Sequence, residues 1–432
     1  MLRMSDEELK DIESLGIPKL TAFAELASKQ FTCSHCGKCT RKCEVLYGPQ
    51  LDMGEVERVY MEVMSLPEEE RKDATLERMM ENYPMYNALR QCCFCGYCTS
   101  ACGNHVSAVD VMRAWRELFM ECGLMPPEAS KLVMVDNEWN IFSAYRAIYN
   151  IGYTDMISLD QAAEQPGLVD TLFFPGCSLV SYAPEVVRAI GKWLDGCGVK
   201  WALSEACCGS PLMSAGMFER ACNLRHGVVE KMRKAGIKRM VTVCPGCADE
   251  FREDLFGEIE QVPLPELMLD EAQKREDEGF SAGFNPLNLD SITFFDSCHD
   301  RDDMRNANAL RRLFAMYMPE AKQLEISHDK KDTLCCGAGG AVSSYDAAIS
   351  DRRVWRVIDE VKATGAEAVV TMCPTCSYTI AQACLANPDK GIRCFHYAEA
   401  LFGVEIDWDI VFYQLNAMWT GEYGPWLNQT FF

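Results

Sequence analysis

Val241-Thr-Val-Cys-Pro-Gly-Cys247 returns 129 residues later as Val370-Thr-Met-Cys-Pro-Thr-Cys376. Each is a short β-branched run that stops at Cys-Pro-x-Cys, which reads as a buried strand delivering thiols at its end. Further out, Phe173-Phe-Pro-Gly-Cys177 is answered by Phe294-Phe-Asp-Ser-Cys298, and Cys207-Cys-Gly209 by Cys335-Cys-Gly337, at offsets of 121 and 128 residues. Helical patterns lie between these strands: one from Pro184 with Val186, Val187, Ile190, Trp193 and Leu194 on one face, another around 217–235 ending at Gly236. Strands alternating with helices predict a parallel sheet with crossover helices, here in two copies. Residues 263–290, rich in Pro, Gly and acids, read as the linker between the copies.

Each copy therefore carries five cysteines in one order: Cys177, Cys207, Cys208, Cys244 and Cys247, then Cys298, Cys335, Cys336, Cys373 and Cys376. The sheet pattern puts thiols at strand ends, the edge where parallel α/β sheets place their sites. Gly209 and Gly337 let the backbone turn tightly beside a bulky group. Five thiols exceed what one cubane or one zinc ion requires. Soft thiolates select iron–sulfur, zinc or copper(I), and chemistry alone does not choose among them.

Two further cysteine runs precede this region. Cys33-x2-Cys36-x2-Cys39-x3-Cys43 has the bacterial ferredoxin spacing, and Cys92-x2-Cys95-x2-Cys98-x3-Cys102 repeats it. In such pairs three thiolates of one run hold three corners of a cubane and the fourth cysteine reaches the other cluster. Cys33, Cys36, Cys39 and Cys102 then form one 4Fe–4S site, and Cys92, Cys95, Cys98 and Cys43 the second. Structural zinc fits the spacing poorly. Glu44 and Gly103 stand where a Pro usually follows such runs, and 48 residues separate Cys43 from Cys92. Both departures suit a helical ferredoxin domain, as do the helical periodicities over 1–30, Glu55–Asn82 and 111–150. Cys93 reads as a buried neighbour.

The chain has 432 residues, and acids outnumber bases by 64 to 42 for a net charge of -22. That field repels phosphate backbones and argues against a nucleic-acid partner. The start, Met1-Leu-Arg-Met-Ser-Asp-Glu-Glu, lacks the apolar run of a signal peptide. With 24 cysteines, several of them in Cys-x-x-Cys clusters, a reduced cytoplasmic metalloprotein is expected in preference to a disulfide framework. No run approaches the ~20 apolar residues of a membrane span, so any link to the inner face of a membrane is expected to go through partner subunits.

The repeated pattern resembles the CCG, or cysteine-rich, domain of heterodisulfide reductases and related iron–sulfur subunits. Two helical-ferredoxin runs followed by two complete CCG repeats is similar to the arrangement in the D-type subunits of heterodisulfide reductases. The resemblance implies that each set of five cysteines holds a noncubane 4Fe–4S cluster, beside the two cubane clusters. It also implies that a disulfide is split between them, each cluster giving one electron and capturing one sulfur. On that basis Cys208, Cys336 and His299, next to Cys298, are the candidate catalytic residues, although a histidine there reads more readily as a surface or capping residue. Implied partners are a membrane cytochrome b or quinone-reactive subunit, or a flavoprotein, with a thiol/disulfide couple as substrate. A second reading is a non-catalytic wire in a flavin-linked glycolate, lactate or glycerol-3-phosphate dehydrogenase; a third is a zinc-stabilised adaptor.

The expected fold is therefore α+β and multidomain. A helical two-cluster ferredoxin domain spans 1–125, a helical linker 126–170, one α/β CCG domain with a parallel sheet 171–285 and a second 286–405. Over 406–432 an aromatic tail carries Trp408, Trp419, Trp426, Phe431 and Phe432, which reads either as core packing or as a docking surface. His35, His105, His226, His328 and His396 share no spacing and read as structural. Cys122, Cys197, Cys222, Cys384 and Cys394 read as small buried hydrophobes.

Overall fold

The computed structural model describes residues 33–104, 106–124, 134–251 and 259–431. The helix expected within 1–30, together with His105 and Phe432, lies outside them. The chain forms two compact units. One gathers the described residues up to 134 with 211–223 and 337–352; the other gathers the described residues among 135–210, 224–336 and 353–431.

The first unit is helical. Its main helices are Met53–Met64, Glu68–Glu81, Tyr83–Arg90 and Ala108–Glu121. Asp52, Asn82 and Ser107 cap three of them, each side chain accepting from a first-turn amide. Val56, Tyr60, Val63, Met85, Leu89, Val111, Trp115 and Phe119 are buried between the helices. Trp115 Nε1 donates to the Val56 carbonyl at 3.0 Å, and its ring meets Tyr60 edge-on at 5.3 Å. That contact holds the helix after the second cysteine run against the helix after the first.

The second unit contains two parallel four-stranded sheets. Strands β1 (Thr171–Phe174), β2 (Trp201–Leu203), β3 (Arg239–Thr242) and β4 (Glu260–Pro263) lie in the order β2-β1-β3-β4. Strands β5 (Ser291–Phe295), β6 (Lys322–Leu324), β7 (Ala368–Thr371) and β8 (Arg393–His396) repeat that order as β6-β5-β7-β8. In register, Phe173 lies beside Leu203 and Val241, as Thr293 lies beside Leu324 and Val369. β1 and β7 are buried along their whole length, as strands covered on both faces must be.

The segment read as a linker, 263–290, is built differently. Leu264–Asp277 is a helix that buries Leu264, Leu267, Met268, Leu269 and Ala272. It packs on the helix Arg305–Tyr317, with Arg305 paired to Glu266 and the Tyr317 hydroxyl donating to Glu276 at 2.8 Å. One apolar core consequently runs through both repeats. The acids of this segment form its solvent face, which is why composition alone suggested a linker.

The tail forms two helices, Trp408–Thr420 and Gly424–Phe431. Trp408 and Phe412 pack edge-on against Tyr378 at 6.0 and 5.0 Å, and Tyr149 donates to the Gln414 carbonyl at 2.7 Å. Part of the aromatic content is therefore core packing, while Tyr413 and Ile410 remain exposed. Among the described residues no helix is long and apolar enough to cross a membrane.

Candidate functional site

The two N-terminal cysteine runs adopt the same loop. His35 and Phe94 have φ of 50° and 57°, and Gly37 and Gly96 have φ of 65° and 70°. Left-handed backbone at the third and fifth positions folds each loop back on its first cysteine. The amide of His35 then donates to Cys33 Sγ at 3.4 Å, and that of Phe94 to Cys92 Sγ at 3.4 Å. Such bonds stabilise thiolate, the form in which cysteine ligates. Short helices Lys38–Lys42 and Tyr97–Ser100 carry the third cysteine of each run.

Cys33, Cys36, Cys39 and Cys102 line one cavity of about 130 Å³, with Cys98 at its wall. Cys98 is buried and its pKa is pushed well up, by burial first and then by the charges of Cys43, Cys92 and Cys39. The fourth cysteine of each run thus faces the other run. His35 is engaged otherwise: its Nδ1 lies 3.1 Å from both Asp52 carboxylate oxygens.

In the second unit the cysteines sit at the C-terminal ends of the central strands. Cys177 opens the helix Cys177–Tyr182 after β1, and Cys298 opens a 3-10 turn after β5. Cys244 caps Pro245–Glu250 after β3, and Cys373 caps Pro374–Leu385 after β7, each with proline at the first helical position. β1/β3 and β5/β7 are the neighbours at which strand order reverses, the crevice where open α/β sheets place ligands. Gly209 and Gly337 have φ of 84° and 92°, so each Cys-Cys pair is followed by the turn that glycine permits. Gly176, with φ of 86°, approaches Cys247 so closely that a Cβ there would lie 3.0 Å from its sulfur.

Nine of the ten sulfurs form one file. Cys177 Sγ is 3.3 Å from Cys207 Sγ, and Cys208, Cys247 and Cys244 follow in contact. Cys244 Sγ lies 3.7 Å from Cys373 Sγ of the second repeat, and Cys376, Cys336 and Cys335 continue beyond it. Sulfurs this close cannot all ionise unless a cation shares the site. Cys208 is held well below the usual thiol range by its sulfur neighbours Cys207 and Cys247, with help from Arg225; Cys373 is held low by Cys244 and Cys376. Cys207, Cys247, Cys336 and Cys376 are pushed well up by adjoining sulfurs and burial. A dense, soft, polyanionic donor set of this kind fits a multi-iron cluster better than a single divalent ion.

His299 Nδ1 is 2.9 Å from Asp249 Oδ2, and its side chain is 21% exposed. Burial pulls its pKa down, but the Asp249 hydrogen bond and charge, with Cys373 nearby, leave it at about 9. His396 is a helix cap, its Nδ1 accepting from the Ala398 amide at 3.4 Å, and burial lowers it to about 4.

Three buried arginines were missed from the sequence. Arg225 and Arg353 stand 17 residues beyond Cys208 and Cys336 respectively, a matched spacing that the repeat itself offered as a signal. Arg225 Nη1 donates to the Cys208 carbonyl at 3.2 Å and lies 3.4 Å from Glu250. Arg116, in the first unit, belongs to no repeat and left no such signal.

Residues 171–252 and 292–381 each match the family described as the cysteine-rich domain, CCG. It is similar to an uncharacterized iron-sulfur protein of Methanococcus maripaludis, 24% identical over 67% of this chain and 56% of that protein. The D-type subunit of the dihydromethanophenazine:CoB–CoM heterodisulfide reductase from Methanosarcina barkeri is 25% identical over 66% of this chain and 70% of its own length. The B-type subunit of the fumarate reductase (CoM/CoB) from Methanothermobacter marburgensis is 25% identical over 67% of this chain and 56% of its own. The chain thus spans little more than half of two of these relatives.

Proposed function

We propose that this protein is an iron–sulfur oxidoreductase subunit that moves electrons between a redox partner and a thiol/disulfide couple. Cys33, Cys36, Cys39 and Cys102 hold one cubane 4Fe–4S cluster in this reading, and Cys92, Cys95, Cys98 and Cys43 the other, within a helical ferredoxin domain. Cys177, Cys207, Cys208, Cys244 and Cys247 form one noncubane site, and Cys298, Cys335, Cys336, Cys373 and Cys376 the second. The observation that carries the reading is the 3.7 Å approach of Cys244 Sγ to Cys373 Sγ. Two electron-rich half-sites in contact are what cleavage of an S–S bond requires, since it consumes two electrons and yields two thiolates. The names of the heterodisulfide and CoM/CoB fumarate reductase relatives support the same couple.

Noncubane clusters held by these two sets of five cysteines would supply single electrons and an acceptor for sulfur. The chain's own residues shape the place. Cys208 and Cys336 sit inside the sulfur file and are buried, each 4% exposed. Asp249 orients the imidazole of His299, which can hold a proton for a departing thiolate. Clusters held by the two N-terminal cysteine runs would supply the route by which a cytochrome b, quinone-reactive or flavoprotein partner exchanges single electrons with this chain.

Iron and acid-labile sulfide counts, with spectra before and after reduction, come first; values near zero overturn the reading. Reduced viologen with candidate disulfides should then turn over, and C208S or C336S should abolish turnover while leaving the ferredoxin-type signals. Clusters present with no turnover on any disulfide would instead indicate conduction from a hydroxy-acid dehydrogenase.

A further inference from the structure

We propose that Arg116 is a positioning residue. Its buried guanidinium locks the loop of Cys92 and Cys93 against the segments that follow both CysCysGly motifs, and its charge raises the reduction potential of the cluster that loop holds. The inference rests on the iron–sulfur reading of the Cys92 run given above.

Arg116 is 1% exposed in the middle of the helix Ala108–Glu121. Nη1 donates to the carbonyls of Ser214 and Gly340, both at 2.7 Å. Nη2 donates to the carbonyls of Leu89, Arg90 and Cys92, at 3.1, 3.0 and 3.2 Å. The rings of Phe94 and Tyr345 flank the group at 4.9 and 5.3 Å. Ser214 lies six residues past Cys208 and Gly340 four past Cys336, so one side chain gathers three stretches that each belong to a cysteine motif. The planar fork of arginine suits this task; a lysine ammonium cannot span five carbonyls.

The packing around it leaves no slack. A Cβ on Gly340 would lie 2.2 Å from the Cys92 carbonyl oxygen, one on Gly339 2.5 Å from that of Cys93, and one on Gly216 2.4 Å from that of Arg116. These backbones touch directly, so the loop cannot shift without moving the arginine.

The electrostatic half follows from the same contacts. The five acceptors are neutral carbonyls, which solvate the charge without cancelling it. Guanidinium stays protonated in proteins, and a buried cation calls for an anion. The thiols of Cys92 and Cys93 are near enough to feel it. A four-thiolate 4Fe–4S cluster is anionic and gains one further negative charge when it accepts one electron, with no bond made. A fixed cation therefore favours the reduced state and raises the potential.

The test is a redox titration of the full-length, cluster-loaded protein followed by electron paramagnetic resonance, with iron counted in each sample. In R116M one ferredoxin-type signal should move to lower potential while the others hold; in R116K, which keeps the charge but not the fork, the shift should be smaller. Unmoved potentials in R116M at wild-type iron content would overturn the proposal. Should R116M not fold, R116Q, which keeps amide donors without the charge, is titrated instead, and an unmoved potential there overturns it equally. Wild-type protein without iron or sulfide would overturn the iron–sulfur reading itself, a result obtained before any variant is made.

Discussion

Cys244 Sγ lies 3.7 Å from Cys373 Sγ, so the equivalent cysteines of the two repeats touch. Both cap a helix that starts with proline, and both follow the strand beside the first strand of their sheet. The duplication therefore brings the two sets of cysteines into contact.

That contact predicts coupling. C244S or C373S should change the spectroscopic signals of both CCG sites, whereas C177S, at the far end of the file, should change only the first. Magnetic resonance of the three loaded variants checks this. A second-repeat signal untouched by C244S would mean that the two half-sites are independent.

Arg225 and Glu250 have side chains 2% and 4% exposed. Removing one member of such a pair leaves an uncompensated buried charge, at a cost of about 3–5 kcal/mol. R225M should therefore lower the unfolding free energy in urea by about that amount. R225M combined with E250L should recover much of the loss, because Glu250 is then no longer left as an unpaired buried carboxylate. A double variant no more stable than R225M would assign the loss to packing.

Much of this was legible because cysteine-rich loops are local. The spacing of thiols, the glycines after Cys-Cys and the apolar strands before Cys177, Cys244, Cys298 and Cys373 are all short-range, and the structure places each where its pattern suggested. The helix Leu264–Asp277 was hidden because its buried face is narrow and its acidic face dominates composition. Arg116 was hidden for a different reason. Its partners at 89–92, 214 and 340 are joined only by folding, and nothing in the local sequence distinguishes it from the half-buried arginines of ordinary helices. Contact between the two half-sites is likewise a tertiary fact that no spacing encodes.

Gly340 and Gly365 make a matched pair for testing close approach. Both have positive φ, 64° and 74°, so alanine at either costs roughly 1–2 kcal/mol of backbone strain. At Gly365 a Cβ meets nothing within 4 Å, whereas at Gly340 it would collide with the Cys92 and Cys93 backbone. G365A should keep full iron content with a modest loss of stability. G340A should be much less stable and should lose iron from the Cys92 run. Iron counts and thermal melts compare the two, and equal behaviour would mean that the loop yields easily.

Glu399 provides a pH prediction remote from catalysis. Its carboxyl is 1% exposed and accepts from the amides of His396 and Ile406 at 2.6 and 2.7 Å. Burial raises its pKa to about 8, more than those two amides lower it, from an ordinary value of 4.5. Below about 4.5 both folded and unfolded chains hold the proton, and the contribution is fully present. Between about 4.5 and 8 the unfolded chain has released a proton that the folded chain keeps, so stability falls as pH rises, by up to about 1.4 kcal/mol per unit. E399Q keeps a neutral acceptor at this position. It should match the native chain near pH 4.5 and become increasingly more stable than it towards pH 8. Urea unfolding of both proteins across this range measures the difference, and a gap that does not change with pH would show that Glu399 folds with its carboxylate ionised.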